Sequence, residues 1–191
     1  MMGAFAESIE QGLNQEIAAM GRAGWLMIRQ ARKGDAKRMA KRLDPVDRRE
    51  LEAATGRDAG SVLKQSLEMT PGRAWVAEQK VNGPWGVHGL FGLASITGHP
   101  EIGVPWMVAS EHFRQDPKML LRLGRLAVQG FSREYQVLFN RVHADNTRAI
   151  RWLVHIGFDV SAQAVPLGAA GEMFYPFTLK EEVCVTPQAL Q

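Results

Sequence analysis

Apolar and polar residues recur along the chain with two different periods, which separate predicted helices from predicted strands. In the first twenty residues the apolar positions fall at steps of three or four, with glutamate, glutamine and asparagine between them. These positions are Phe5, Ile9, Leu13, Ile17 and Met20. Because this spacing is typical of an amphipathic helix, residues 1–22 are expected to form a helical extension in front of the main domain.

After the extension, one apolar run and three polar-rich segments predict a strand followed by three helices. The run WLMIRQA is expected to be the first strand. Asp35 is expected to cap a helix through AKRMAKRL. A second helix covers LDPVDRRELEAATG, with Pro45 at its first position and Gly56 at its end. The third helix covers RDAGSVLKQSLEM and is expected to stop before Pro71.

The middle of the chain changes to the pattern of strands. AWVAEQK and HGLFGLASI flank the turn sequence NGPWG, which predicts two strands joined as a hairpin-like pair. IGVPWMVAS is a third predicted strand. Proline cannot donate to a strand ladder, so Pro105 is expected to lie at a sheet edge, at a bulge or at the start of that strand.

The second half returns to helices and then to strands. An apolar stripe after Asp116 and Pro117 predicts a long helix, and QVLFNRVHA predicts the strand that follows it. NTRAIRWLVHI reads as a helix capped by Asp145 or Asn146 and ended by Gly157. FDVSAQAV and EMFYPFTLK are the last two predicted strands. The predicted order is therefore strand, helices, three strands, helix, strand, helix and two strands.

Composition places the chain among ordinary globular proteins. It has 191 residues, of which 46% are hydrophobic and 23% charged, enough for a single sizeable core. One cysteine, Cys184, excludes an internal disulfide and a cysteine-based zinc site. No apolar run approaches the roughly 20 residues that span a bilayer, and the N-terminus carries acids where a signal peptide has positive charge. A soluble protein without a membrane partner is expected.

The basic residues are unevenly distributed. The net charge is only +3, yet the segment from Arg22 to Arg49 contains ten lysines and arginines against three aspartates. A solvated helix face is the favoured interpretation of this segment. Direct contact with nucleic acid through residues 22–49 stays open as the alternative.

The order of elements, together with ADNTRAIRWLVHIGFDV, resembles the GCN5-related N-acetyltransferase (GNAT) superfamily, in which an asparagine opens a late helix that ends in Gly-Phe. WLMIRQARKGDAKRMAKRL is similar to the usual opening strand and helix of that superfamily. The resemblance covers residues 24–180. It implies an α+β fold with a mixed, mostly antiparallel sheet of about six to seven strands flanked by helices, over residues 23–181, and a C-terminal tail at 182–191.

Within the superfamily, the combination of LDPVDRRELEA, IGVPWMVASE and NTRAIRWLVHIGF looks most like a branch encoded by tailed bacteriophages. Members of that branch are described as internal virion or head-core proteins. The resemblance implies a location in the virion interior after synthesis in the host cytoplasm. It also implies other virion proteins as partners and no cofactor.

The resemblance also implies where acetyl-CoA would bind in an active relative. GNAT enzymes hold its diphosphate on the amides of a Gln/Arg-x-x-Gly-x-Gly/Ala loop at a helix start. The corresponding stretch here, SEHFRQDPKMLLRLGRLAVQ, lacks that glycine pattern. Asp116 is expected to cap the helix instead, and Pro117 removes a further donor. Arg114 would offset part of the negative charge and is the candidate contact to the cofactor.

The candidate catalytic residues are few. Many superfamily members have a tyrosine seven residues after the helix-opening asparagine, and this tyrosine is the general acid that protonates the departing thiolate. This chain has Leu153 at that position. Glu111 is the candidate general base, with His112 and His143 as alternatives. Asn146 matches the position that approaches the cofactor, although its capping role explains it equally well. His143 and Asp145 lack a third ligand, so no metal site is expected.

Two functions from different classes follow. The first is an inactive acetyltransferase-like protein that binds other virion proteins, with no cofactor. The alternative is an acetyl-CoA-dependent N-acetyltransferase with a divergent loop, acting on a small amine or a protein amino group. The N-terminal stripe of Phe5, Ile9, Leu13 and Ile17 must also be covered, because an isolated amphipathic helix is marginal in water. It packs either on its own domain or on a partner, and both interpretations stay open here.

Overall fold

The computed structural model describes residues 2–180. Cys184 and the predicted tail at 182–191 lie outside the described residues. The helices are α1 (Met2–Ala19), α2 (Asp35–Ala40), α3 (Pro45–Thr55), α4 (Ala59–Met69), α5 (Pro117–Ser132) and α6 (Thr147–His155). The strands are β1 (Leu26–Gln30), β2 (Ala74–Lys80), β3 (Trp85–Ile96), β4 (His99–Ala109), β5 (Val137–His143), β6 (Asp159–Val160), β7 (Val165–Leu167) and β8 (Glu172–Lys180).

Within the described residues, the strands form one eight-stranded sheet in the order β1-β2-β3-β4-β5-β8-β6, with β7 also beside β8. Neighbours run antiparallel in this part of the chain, except for the parallel pair β4 and β5. This arrangement confirms the predicted mixed, mostly antiparallel sheet. The strand count exceeds the prediction because FDVSAQAV splits into β6 and the start of β7. Ser161 and Gln163 form the turn between them.

Strands β4 and β5 pair over a very short distance. Their register joins Ile102 to Val137 and Gly103 to Leu138 and extends no further within the described residues. Gly103 permits this close approach, since a Cβ there would lie 2.7 Å from the ring of Tyr135. Beyond this point the two strands diverge and leave a cleft within the sheet.

Helices cover both faces of the sheet. On one face, the larger hydrophobic core holds buried residues of α1, α5 and α6 together with Trp75 and Leu93 of the sheet. On the other face, a smaller core joins α2 and α4 to Val76, Leu90 and Val108. Helix α3 lies on this second side and reaches from the end of β4 to the start of α6. It therefore covers the cleft from one side, while α5 and α6 border it from the other.

Helix α1 packs on its own domain. Ile9, Leu13 and Ile17 are 7%, 2% and 1% exposed, and Phe5 packs edge-on against Trp75 of β2. The side chain of Asn14 accepts from the N–H of Ile28 and donates to its carbonyl. Helix α1 therefore provides hydrogen-bond partners for backbone groups of the edge strand β1. The stripe proposed for a partner is thus covered within the chain. The N-terminal extension shares the domain's core rather than standing apart from it.

The helix boundaries follow local chemistry in most places. Asp44 caps α3 by accepting from the N–H of Val46, with Pro45 at the first position and Gly56 left-handed at the end. The expected cap at Asp35 is wrong, because Gly34 occupies the cap position with φ of 96°. Asp35 is instead the first helical residue, fully buried and hydrogen-bonded to Arg29.

Pro105 lies inside β4, opposite Leu93 of β3, and not at a bulge or at the strand start. Asp44 of α3 donates its N–H to the carbonyl of Ala109, so the backbone groups of Ala109 point away from β3. By the two-residue period of a strand, those of Pro105 point the same way. Strand β5 has diverged there, so this side of β4 is a local edge and the missing N–H interrupts no ladder.

Replacing Leu13 with alanine should lower the free energy of unfolding by about 2–5 kcal/mol, since the side chain is buried in the main core. Gln15→Ala, on the exposed side of the same helix, serves as the matched control and should change stability by less than about 0.5 kcal/mol. Urea unfolding followed by circular dichroism measures both. Equal stability of the two variants would mean that α1 does not belong to the core.

Candidate active site

The divergence of β4 and β5 opens a cavity of about 600 Å³ that is bordered by both strands and by α3, α5 and α6. Most of its wall is apolar and includes Trp106, Met107, Leu120, Trp152 and Leu153. A small polar group lines the α3 side, namely Asp47, Glu50, Arg114, Asn146 and Arg148. An apolar pocket with a few converging polar groups is the usual form of a small-molecule site.

Several backbone groups on the edge of β4 that faces the cleft are already hydrogen-bonded to other parts of the protein. The carbonyl of Ala109 accepts from the N–H of Asp44, at 3.0 Å. The N–H of Ala109 donates to Oδ2 of Asp47, at 2.9 Å. Further along, the carbonyl of Pro105 accepts from Nδ2 of Asn140, at 2.9 Å. Met107 lies between these two positions, so its backbone N–H and C=O point into the cleft by the same alternation.

Three carboxylates lie along α3 because they recur at three-residue steps, which places them on one side of the helix. These are Asp44, Asp47 and Glu50. Arg114 forms a short ion pair with Asp47 and lies 3.5 Å from Asp44. Burial raises the pKa of Asp47 above its usual range, although Arg114 acts in the opposite direction. The first two carboxylates are thus committed to Arg114 and to the end of β4.

Glu50 is held differently from the two aspartates. Its Oε2 accepts from Nδ2 of Asn146, at 2.7 Å. Asn146 also caps α6, because its Oδ1 accepts from the N–H of Ala149, at 3.2 Å. Burial raises the pKa of Glu50, the bond from Asn146 opposes that shift, and the charge of Asp47 adds to it. Glu50 therefore combines a raised pKa with a place in the cavity wall.

His143 is buried beside this group, but both ring nitrogens have partners. Its Nδ1 accepts from the N–H of Asp145, so Nε2 carries the proton and donates to Oε2 of Glu172, at 2.6 Å. Arg49 also pairs with Glu172, at 3.3 Å. His143 thus fixes the turn between β5 and α6 and ties it to β8.

At the start of α5, a side chain of the protein itself accepts from a backbone N–H that could otherwise bind a ligand. Oδ1 of Asp116 accepts from the N–H of Met119, as the sequence predicted for the cap, and the same carboxylate pairs with Arg22. Pro117 contributes no N–H. In the preceding turn, the N–H of Phe113 donates to the hydroxyl of Ser110, and that of Gln115 donates to the carbonyl of His112. The amides of Phe113, Gln115 and Met119 therefore already have partners within the protein.

The predicted site residues separate into two groups. Arg114 and Asn146 line the main cavity, whereas Glu111 is exposed at a smaller cavity of about 300 Å³. His112 packs edge-on against His88. Among residues 2–180, no cluster of three metal-binding side chains occurs. None of the described helices is long and apolar enough to cross a membrane.

Sequence reasoning missed Glu50, the carboxylate that lines the cavity. It lies on a helix that is far from the late signature along the chain, 96 residues before Asn146. The three-residue spacing from Asp44 was visible in the sequence and would have marked the side of α3 on which it lies. Only the fold shows that this side faces the cleft.

The fold is shared with known acetyltransferases. The chain matches a GNAT-family acetyltransferase from Bacillus anthracis with a TM-score of 0.60 and 13% identity, covering 84% of this chain and 97% of that one. It matches the NatC complex bound to Gag peptide and CoA at 0.61 and 12%, covering 82% and 99%. Spermidine N-acetyltransferase from Vibrio cholerae, in complex with CoA and spermine, matches at 0.57 and 11%, covering 82% and 95%.

These identities are low, so the likeness shows the fold alone. That fold is the GNAT fold expected from the sequence. No family model and no curated protein matches the chain. Nothing in these comparisons links the chain to tailed-phage virion proteins.

Asn146→Ala should lower the free energy of unfolding by about 1–2 kcal/mol, because the variant loses the cap of α6. Asn146→Asp is the informative second variant, since aspartate keeps the cap but cannot donate to Glu50. Its stability should fall below that of the wild type at pH 7.5, and the difference should shrink as the pH is lowered towards 5 and the pair of carboxyl groups takes up a proton. Thermal unfolding across this pH range measures the effect. A pH-independent loss would contradict the Glu50 contact.

Proposed function

We propose that this protein is an N-acyltransferase that moves an acetyl group from a pantetheine thioester, such as acetyl-CoA, to an amine. Glu50 is the general base of this proposal. The observation that supports it most is Glu50 itself, a carboxylate of raised pKa in the wall of an apolar cavity. Glu50 differs from Asp47 in its partner, because the neutral side chain of Asn146 holds Glu50 whereas Arg114 pairs with Asp47.

The cleft suits the pantetheine part of such a donor. Pantetheine is an extended chain with two amide groups, and an extended chain can add to a free strand edge. Met107 offers one N–H and one C=O at that edge, while Trp106 and Leu120 provide apolar walls nearby. The fold neighbours support the same choice of donor, since two of those named above were solved with CoA.

The reaction requires one proton acceptor and one proton donor. The amine nitrogen attacks the carbonyl carbon of the thioester, the C–N bond forms, and the C–S bond then breaks. Glu50 takes the proton from the nitrogen, directly or through a water, because its raised pKa keeps it basic. Leu153 has no proton to give. Water protonates the departing thiolate.

Glu50 provides a local contact for a cationic acceptor. The cavity wall carries the carboxylates Asp47 and Glu50 together with Arg114, Arg141, Arg148 and Arg151. Arg114 pairs with Asp47 and Arg148 with Asp44. Glu50 is hydrogen-bonded by the neutral side chain of Asn146. An ammonium group is therefore attracted to Glu50 and delivers its proton there. This charge pattern supports a small amine or a protein amino group as the acceptor.

A second candidate is a non-enzymatic protein with this fold, used as a virion component that binds other virion proteins. What favours it is the set of internal contacts on the donor side, namely the capped start of α5 and the occupied edge of β4. This candidate predicts that neither a thioester nor its free thiol binds in the cleft. The basic segment 22–49 would then be a contact surface for its partners or for nucleic acid.

Glu50→Gln should lower kcat for transfer to an amine by at least about 100-fold, because the amide cannot accept the proton. Thiol release from acetyl-CoA, followed with a panel of amines, measures it. Glu52→Gln is the matched control, since Glu52 lies on the same helix but is exposed, and its activity should equal that of the wild type. Equal activity of all three proteins would exclude Glu50 as the base.

The same variant has a stability signature. The folded-state pKa of Glu50 is above the usual value of about 4.5, so the folded state binds this proton more tightly than the unfolded chain does. The contribution of Glu50 to stability therefore falls as the pH rises through that value and then through the raised pKa. Glu50→Gln removes this loss. Its melting temperature should exceed that of the wild type by more at pH 8 than at pH 4.

A further inference from the structure

We infer that the donor is recognised through its pantetheine part and its acyl group, and that the nucleotide diphosphate of coenzyme A adds little to binding. This inference rests on the proposed function, and it specifies the class of donor. The chain fits one half of coenzyme A and does not fit the other. Three observations, on the start of α5, the preceding turn and the local charge, support it.

The first observation is the start of α5, where a helix offers unpaired N–H groups to an anion. Here the N–H of Met119 is bonded to Asp116 and that of Leu120 to the carbonyl of the same residue. Pro117 has no N–H to offer. A diphosphate at this position would have to displace a carboxylate that is itself paired with Arg22.

The second observation is the turn that leads into α5. The N–H of Ser110 donates to the carbonyl of His88, and the N–H of Phe113 donates to the hydroxyl of Ser110. Arg114 donates its own N–H to the carbonyl of Ser110. A loop that wraps a diphosphate needs these groups to point outward together. In this chain they close a 3₁₀ turn over residues 113–115.

The third observation is the charge around the turn. Glu111 and Asp116, the latter paired with Arg22, place carboxylates beside the position of a diphosphate, and a like charge there opposes binding. Arg148, which lines the small cavity beside Glu111, pairs with Asp44 at 3.7 Å. Arg114, the nearest buried cation, is held by Asp44 and Asp47. Its availability to a phosphate therefore requires two partly or fully buried carboxylates to lose their partner, which is costly.

The interior of the cleft has the opposite character. Its volume of about 600 Å³ and its largely apolar wall suit a pantetheine arm with an acyl group. Met107 supplies backbone groups that an amide can pair with, and Glu50 lies in the same cavity. The apolar cavity and Glu50 are open to the reactive end of the donor. The amides that would bind its phosphate end already have hydrogen-bond partners within the protein.

Titration of the full-length protein with CoA and with pantetheine, by calorimetry, tests this inference without requiring the acceptor to be known. The dissociation constants of the two thiols should agree within about threefold. A tenfold difference equals about 1.4 kcal/mol. If CoA binds more than tenfold more tightly than pantetheine, the inference is overturned while the proposed function stands. If neither thiol binds, the proposed function itself fails.

Asp116→Asn provides a second variant, because asparagine keeps the capping oxygen and removes the charge. Its affinity for CoA should rise at least threefold, while its affinity for pantetheine should stay within error of the wild type. A parallel rise for both thiols would show that Asp116 acts on the cleft as a whole, and would contradict the charge argument. No change for CoA would contradict it as well. Circular dichroism confirms that the variant is folded.

Discussion

The structure depends on the early separation of two parallel strands. Strands β4 and β5 pair at Ile102 and Gly103 and then diverge, which leaves backbone groups of β4 without a neighbouring strand in the middle of a sheet. Unpaired backbone groups that are shielded from water are costly. The chain satisfies several of them with Asn140 and with the first turn of α3. This need explains why α3 crosses the sheet at that point and why acidic residues lie on its inner side.

The same contacts shape the chemistry of the cleft. Asp47 is fixed by Ala109 and Arg114, so its negative charge is compensated. Glu50, one step further along the helix, accepts from the neutral amide side chain of Asn146 and from the backbone of His143. Two carboxylates on one helix are thus given different environments, and of these two only Asp47 has an arginine partner. Different surroundings for similar groups are a common way to assign different roles.

The fold alone does not decide what the cleft does. The chain shares its fold with acetyltransferases whose identity to it is 11–13%, and it differs from the superfamily pattern at the glycine loop and at Leu153. Both differences affect the phosphate end and the leaving thiol of the donor. The apolar cavity and Glu50 lie elsewhere. A ligand that lacks the phosphate end is therefore compatible with everything the site retains.

The sequence by itself determined the local structure. The caps at Asp116 and Asn146, the first-turn prolines and the two hydrophobic periods predicted most helices and strands, because those signals act within a few residues. Tertiary structure decided the rest. It split FDVSAQAV into two short strands, placed Pro105 where β4 has no β5 neighbour and packed the stripe of α1 against Trp75. It also brought Glu50 to Asn146 across 96 residues of chain. Such contacts depend on where the strands diverge, and the local spacing of apolar and polar residues carries no information about that position.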